Sequence, residues 1–466
     1  MDVTSRLRAI VKSGPPRPVR ELTYEPDTGG YEASMDLSRV AAILGGRAED
    51  TPFGRCLVVD RRYEADRFHG RIQVGQCEVD DPAALAILDP ALFVTVSRAD
   101  RAPQVSAPED GDVPWRSFQR TIFIDLETTG LSGGAGTLAF LVGCGFFDRG
   151  AFQVRQFLLT SHASERALLS AVAEFFDGAD LIVTYNGKTF DVPVMETRWM
   201  FHRLEMPLAG VAHFDMLHPA RRLWRSRGRA ADDLEDAGCR LSTLERTLFD
   251  VTRVGDVGGF EIPGRFFQFL RTGDPRPLEP VLEHNRLDLV SLAAVMARAV
   301  GLARDGSTAC HDCAEALALG RTYERAAADD RSGEGTALLA RAEACYTRAS
   351  ESRTLDVKAE ALYRLALRHR RARRFAAAAA VWRDVIALTD ARGLRRIPGL
   401  GDLRQFAVEA LAIHHEHRDR NLTSARELAL FALEDADGRR ADGIRHRIAR
   451  LERKLSRKTD AQLFSS

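Results

Sequence analysis

The 466 residues suffice for two or three domains with an ample core, and 66 Lys and Arg balance 66 Asp and Glu, so no global basic field advertises a nucleic-acid partner. The seven cysteines follow no disulfide framework, the N-terminus lacks an apolar signal region, and no apolar run is long enough to cross a membrane. A reducing, cytoplasmic setting is expected, which excludes the secreted and membrane classes.

In chain order, residues 1–36 are polar and punctuated by Pro and Gly. Strand-like runs at 56–63 and 70–75 predict a small β element, and 102–114 (APQVSAPEDGDVP) reads as a linker. A buried strand is predicted over 120–126 (RTIFIDL), then a hairpin over 138–159 turning at Asp148-Arg149-Gly150. A helix over 164–177, a strand over 181–185 and a helix over 194–204 follow, and a further helix carries the apolar spacing of Leu287, Val290, Leu292, Val295 and Met296. From about 305 the chain becomes rich in Ala, Leu and Arg, with helix pairs at 312–349, 358–371 with 375–388, and 406–417 with 423–434. The division expected is 1–115, a small N-terminal region with a β element and linker; 116–304, the main α/β domain; and 305–466, an all-α domain.

Three segments carry acids suited to chemistry. Asp125 and Glu127 lie two apart at a strand end, so both carboxylates share one face, a usual arrangement for a hard cation. Asp191, after Asn186-Gly187-Lys188-Thr189-Phe190, reads either as a further ligand or as an N-cap with Pro193 in the first turn. His284 and Asp288 are four apart, on one helical face.

Asp125-Leu126-Glu127-Thr128-Thr129-Gly130, then Asn186 to Phe190-Asp191, then His284 to Asp288, resemble the three exonuclease motifs of the DEDD family, whose fold is ribonuclease H-like: a mixed sheet flanked by helices. His213-Phe214-Asp215-Met216-Leu217 and Arg240-Leu241-Ser242-Thr243-Leu244-Glu245 between them resemble the YprB-type branch, which includes DNA-repair exonucleases that work alongside a helicase. The resemblance covers roughly 116–304. It implies that Asp125, Glu127, Asp191 and Asp288 hold two Mg²⁺ or Mn²⁺ ions and that His284 is the general base. It also implies that Thr128, Thr129, Leu131, Asn186 and Lys188 meet the substrate, a nucleic acid with a 3′ end, DNA rather than RNA. Asp215 reads equally as a structural residue. One departure concerns His284: relatives with a histidine base usually carry it five residues before the last Asp, and here the gap is four.

The helix pairs resemble tetratricopeptide repeats through Ala361, Leu362, Tyr363, Leu365 and Ala366 in one helix and Ala378, Ala379 and Trp382 in the next. Such repeats would suit a protein partner such as a helicase. The run Arg221-Arg222-Leu223-Trp224-Arg225-Ser226-Arg227-Gly228-Arg229 reads as a strand-binding groove or as a solvated face. Cys310-His311-Asp312-Cys313 lacks a second pair at zinc-finger spacing, and His414-His415-Glu416-His417 reads as a polar helix face. The alternatives to a DNA exonuclease are an RNA exonuclease and a non-catalytic scaffold that binds partners through the repeats. No membrane association is expected.

Overall fold

A computed structural model describes residues 36–92, 118–130, 136–225, 239–330, 333–390, 400–434, 436 and 438–463. The expected linker 102–114, Leu131 and the Arg-rich run beyond Arg225 lie outside these residues.

The central strand β5 (Thr121–Thr128) is built from β-branched and aromatic residues, and Ile122, Phe123 and Ile124 are almost fully buried. It pairs antiparallel with β6 (Ala139–Asp148), which turns into β7 (Ala151–Leu158). Arg149 (φ 53) and Gly150 (φ 77) both take positive φ, as a two-residue hairpin turn matching the strand twist requires. On the other side, β8 (Leu181–Thr184) and β9 (Ala212–Asp215) add parallel strands.

Farther upstream, α1 (Leu37–Leu44) leads to β1 (Arg47–Thr51) and β2 (Gly54–Tyr63). β2 pairs along β7, from Leu57 with Leu158 to Tyr63 with Phe152. The seven-stranded sheet therefore runs β1-β2-β7-β6-β5-β8-β9, and the early strands belong to the sheet that carries β5. The expected strand at 70–75 is only two residues long: β4 (Ile72–Gln73) pairs with β3 (Phe68–His69), and the chain then coils into a short 3₁₀ turn at Val74–Cys77. A short helix α2 (Pro82–Leu88) follows.

Helices α3 (Glu165–Phe175) and α4 (Asp191–Phe201) connect the strands from β7 to β9, and α5 (Leu217–Trp224), α6 (Leu241–Phe249) and α7 (Ile262–Thr272) come after β9. The 27-residue α8 (Glu279–Asp305) packs across β5, β6 and β7. Beyond Asp288 almost every residue of α8 up to Ala303 is buried, and one apolar cluster runs from the sheet through α8 into the helices that follow.

Those helices are α9 (Cys313–Asp329), α10 (Gly335–Ala349), α11 (Leu355–Arg371), α12 (Phe375–Asp390), α13 (Leu400–His417), α14 (Leu422–Glu434) and α15 (Gly438–Leu463). Successive helices pack on one another, and the all-helical arrangement fits tetratricopeptide-like repeats. Ala361, Ala366, Ala378 and Ala379 are buried, and the Tyr363 and Trp382 rings meet edge-on at 5.6 Å, so small residues let α11 and α12 approach around one aromatic pair.

Asp312 caps α9 by accepting the Glu315 N–H at 2.8 Å, and Cys310 is buried with its thiol pushed up to about 11 by burial. That segment is a helix start. In the His-rich segment, buried Glu416 meets Arg447, Arg450 and Lys454; burial raises its carboxyl, but Arg450, Lys454 and the neighbouring His417 outweigh this and hold it down at about 2. All seven cysteines are free, and among the described residues no helix is long and apolar enough to cross a membrane.

Candidate active site

Asp125 and Glu127 stand on one side of β5, while Ile124, Leu126 and Thr128 are buried on the other. Register slips at the strand's end, where Glu127 faces Leu141 but Thr128 faces Ala139. Such a bulge re-aims side chains beside a site. Thr128 donates its hydroxyl to the Gly130 carbonyl (2.9 Å), and the Thr129 hydroxyl accepts the Leu138 N–H (3.0 Å), so both threonines fix the turn after the acids.

Asp191 arrives through a different device. After β8 the chain turns at Asn186, whose φ of 71 is left-handed. Asp215, fully buried at the end of β9, accepts the N–H groups of Asn186 (2.8 Å), Lys188 (3.0 Å) and Leu217 (3.1 Å). Asp215 is thus a structural pin for the turn that delivers Asp191. The Lys188 ammonium lies 3.1 Å from Asp89, just past α2. Asp191 is the first helical residue of α4, with Phe190 in the N-cap position, so the capping reading does not hold. Its carboxylate is buried, and neither it nor Glu127 has a hydrogen-bond or ion-pair partner among the described residues.

α8 supplies the rest. Fully buried Asn285 donates to Asp125 twice, to the carboxylate Oδ2 (2.8 Å) and to the backbone carbonyl (3.1 Å), and accepts from Gln156 Nε2 (2.8 Å). Asn285 reaches β5 by passing over Gly143, the strand partner of Asp125 on β6. A Cβ at Gly143 would sit 2.1 Å from Asn285 Oδ1. Gly143→Ala is therefore expected to displace Asn285, cost about 1–3 kcal/mol in a urea titration as overpacking does, and lower activity in parallel with Asn285→Ala. A fully active, fully stable Gly143→Ala variant would show that this contact does not hold Asp125.

His284 and Asp288 share one face of α8, with His284 Nε2 3.5 Å from Asp288 Oδ2. The other ring nitrogen, Nδ1, lies 2.7 Å from Asp256 Oδ1. Asp288 Oδ1 accepts from Arg253, whose guanidinium also grips Glu245 through two bonds of 2.7 and 2.8 Å and lies 3.3 Å from Asp256.

The electrostatics tie these acids together. Burial pushes the carboxyls of Asp125 and Glu127 well above the usual range, and the charges of Asp288 and Asp191 push both further. Asp191 rises to about 7 through burial and the neighbouring Asp215. Acids from β5, α4 and α8 therefore feel one another across a shared space. Among the described residues no three His, Cys, Asp or Glu side chains form a ready-made metal group; Asp288 is engaged by Arg253 and Asp125 by Asn285. The donor set nonetheless fits a hard divalent cation: all oxygens, two of them on carboxylates with no other partner.

The family model described as RNase_H superfamily matches residues 122–300, from β5 through most of α8. A protein of Bacillus subtilis (strain 168), Uncharacterized protein YprB, is 30% identical over 338 residues, which span 72% of this chain and 75% of that protein. The chain belongs to the YprB-type ribonuclease H-like family.

In this YprB-type chain a ribonuclease H-like domain supports a nuclease function. Five participants at its acid site are missed by the sequence reading: Arg253, Asp256, Asn285, Gln156 and Gly143. Asn285 sits beside His284 in the motif, and its burial at that helix position is the signal that could have found it. Of the Arg-rich run, only Arg221 to Arg225 are among the described residues. Trp224 Nε1 donates to Glu315 of α9 at 2.7 Å, and Arg222 donates to the Leu88 carbonyl, so that face of α5 docks within the chain.

Proposed function

We propose that this protein is a metal-dependent 3′–5′ exonuclease that hydrolyses phosphodiester bonds of DNA and works in cytoplasmic DNA repair. What carries the reading is the convergence of Asp125, Glu127, Asp191 and Asp288 from three elements, with Glu127 and Asp191 left without partners. These four would hold two Mg²⁺ or Mn²⁺ ions, which supply a water of lowered pKa and charge neutralisation at the phosphate. His284 would take the proton of the attacking water at Nε2, because the Asp256 carboxylate accepts the Nδ1–H and leaves that lone pair free. Asp256 is suited to this: although burial raises its carboxyl, the hydrogen bond from His284 and the charge of Arg253 outweigh it and keep it ionised. Thr128, Thr129 and the turn at Asn186 border the acids, where the terminal nucleotide would sit. Leu131 keeps its expected substrate role from the motif alone. The repair role, and a helicase partner on the helical repeats, extend from the family resemblance.

The test uses 5′-labelled single- and double-stranded DNA and matching RNA, with Mn²⁺ or with EDTA. A metal-dependent ladder shortening from the 3′ end of DNA is expected. A ladder on RNA alone would replace the DNA reading, and no degradation of any substrate would favour a scaffold.

A further inference from the structure

Behind Asp288 lies a continuous polar chain that reaches the N-terminal part of the fold. Arg253 is 7% exposed and meets the carboxylates of Asp288, Glu245 and Asp256. Buried Glu245 takes the guanidinium fork on both oxygens and also accepts the Ser291 hydroxyl. Ser291 in turn lies 2.8 Å from His69 Nε2 on β3, whose pKa burial lowers to about 4, so the neutral ring donates to a hydroxyl already committed to Glu245. The same β3–β4 segment is fastened to the end of α6, where Arg71 N–H donates to the Phe249 carbonyl at 2.8 Å.

We propose that Arg253 is a positioning residue for Asp288: it fixes Oδ1, leaves Oδ2 for a divalent cation, and through Asp256 holds His284 in register with that oxygen. A guanidinium does this where an ammonium would not, because its planar fork binds Glu245 with two donors and keeps another for Asp288. Arg253 is not free to swing away, since Glu245 would be left as an uncompensated buried charge. Outer-shell hydrogen bonds of this kind orient ligating carboxylates. Through the chain from His69 to Arg253, the β3–β4 segment braces one wall of the acid site.

The inference rests on the metal-dependent reading above, and its test separates the two. Mn²⁺ binding is measured by calorimetry on the full-length protein, beside exonuclease rates over a Mn²⁺ titration. Arg253→Gln is expected to weaken Mn²⁺ binding roughly 10–100-fold, with Arg253→Lys intermediate. Ser291→Ala should shift it in the same direction by less, with no charge removed. Unchanged affinity in a folded Arg253→Gln protein overturns the proposal. Tighter binding does so as well, since it would make Arg253 a competitor of the cation. If Arg253→Gln does not fold, wild-type affinity in both Arg253→Lys and Ser291→Ala has the same force. Asp125→Asn serves as the reference: wild-type Mn²⁺ binding there sinks the metal-dependent reading itself, whereas its loss beside unaffected Arg253 variants sinks only the positioning role.

Discussion

Asp125→Asn should reduce exonuclease activity to background while the protein stays folded, and His284→Ala should leave a measurable rate. The Asn side chain keeps the volume of Asp125, and its oxygen can still accept from Asn285. What goes is one negative charge from the four that, on the proposed reading, would together balance two dications. Several kcal/mol of charge stabilisation depend on that balance, and 1.36 kcal/mol is tenfold in rate, so a loss of roughly 10³-fold or more is expected. His284 stands in a different relation to the reaction. A general base contributes roughly 10²–10⁴-fold, and solvent can replace part of it. Initial rates on labelled DNA at saturating Mn²⁺ check both variants. Equal, mild losses would remove the two-metal assignment, because ligands and base could not then be doing different work.

Much of this site follows from local periodicity. The two-residue repeat of a strand puts Asp125 and Glu127 on one side of β5, and the four-residue spacing of a helix stacks His284 over Asp288. The turn at Asp148-Arg149-Gly150 and the helix pairs after residue 312 follow from turn chemistry and apolar spacing in the same way. The surroundings of the acids have no such period. Arg253 and Asp288 are 35 positions apart, Lys188 and Asp89 are 99 apart, and Asn285 and Asp125 are 160 apart. Each of these pairs depends on how whole elements pack. β2 is equally silent about its partner: its buried run from Cys56 to Val59 would suit any sheet interior, and only the assembled fold seats it on β7. Local pattern thus reveals which side chains point together, and long-range packing decides what restrains them.

The burial of the acids, with the repulsion of their neighbours, has a consequence for stability that can be measured without any substrate. Asp191 moves from 3.8 to about 7 in the fold, and Asp125 and Glu127 move the same way. A carboxyl with a raised folded-state pKa binds its proton more tightly folded than unfolded. Stability from this source is therefore fully present below about pH 4 and is lost as pH rises towards 7. In EDTA, the stability of Asp191→Asn minus that of the wild type should thus grow between pH 5 and pH 8, by up to a few kcal/mol in urea titrations. Taking the difference cancels titrations of groups that do not feel Asp191, the relief of Asp125 and Glu127 adds to it with the same sign, and any fixed cost of burying the amide does not alter the slope. Mn²⁺ at pH 8 should reverse the ordering, since a ligand at one hundred times its Kd adds about 2.7 kcal/mol to the protein that binds it. A difference that stays flat or shrinks with pH would mean that Asp191 is neither desolvated nor held beside a like charge. The same buried, uncompensated charge that weakens the metal-free fold would be the source of its affinity for a dication, so both readouts must move together in Asp191→Asn.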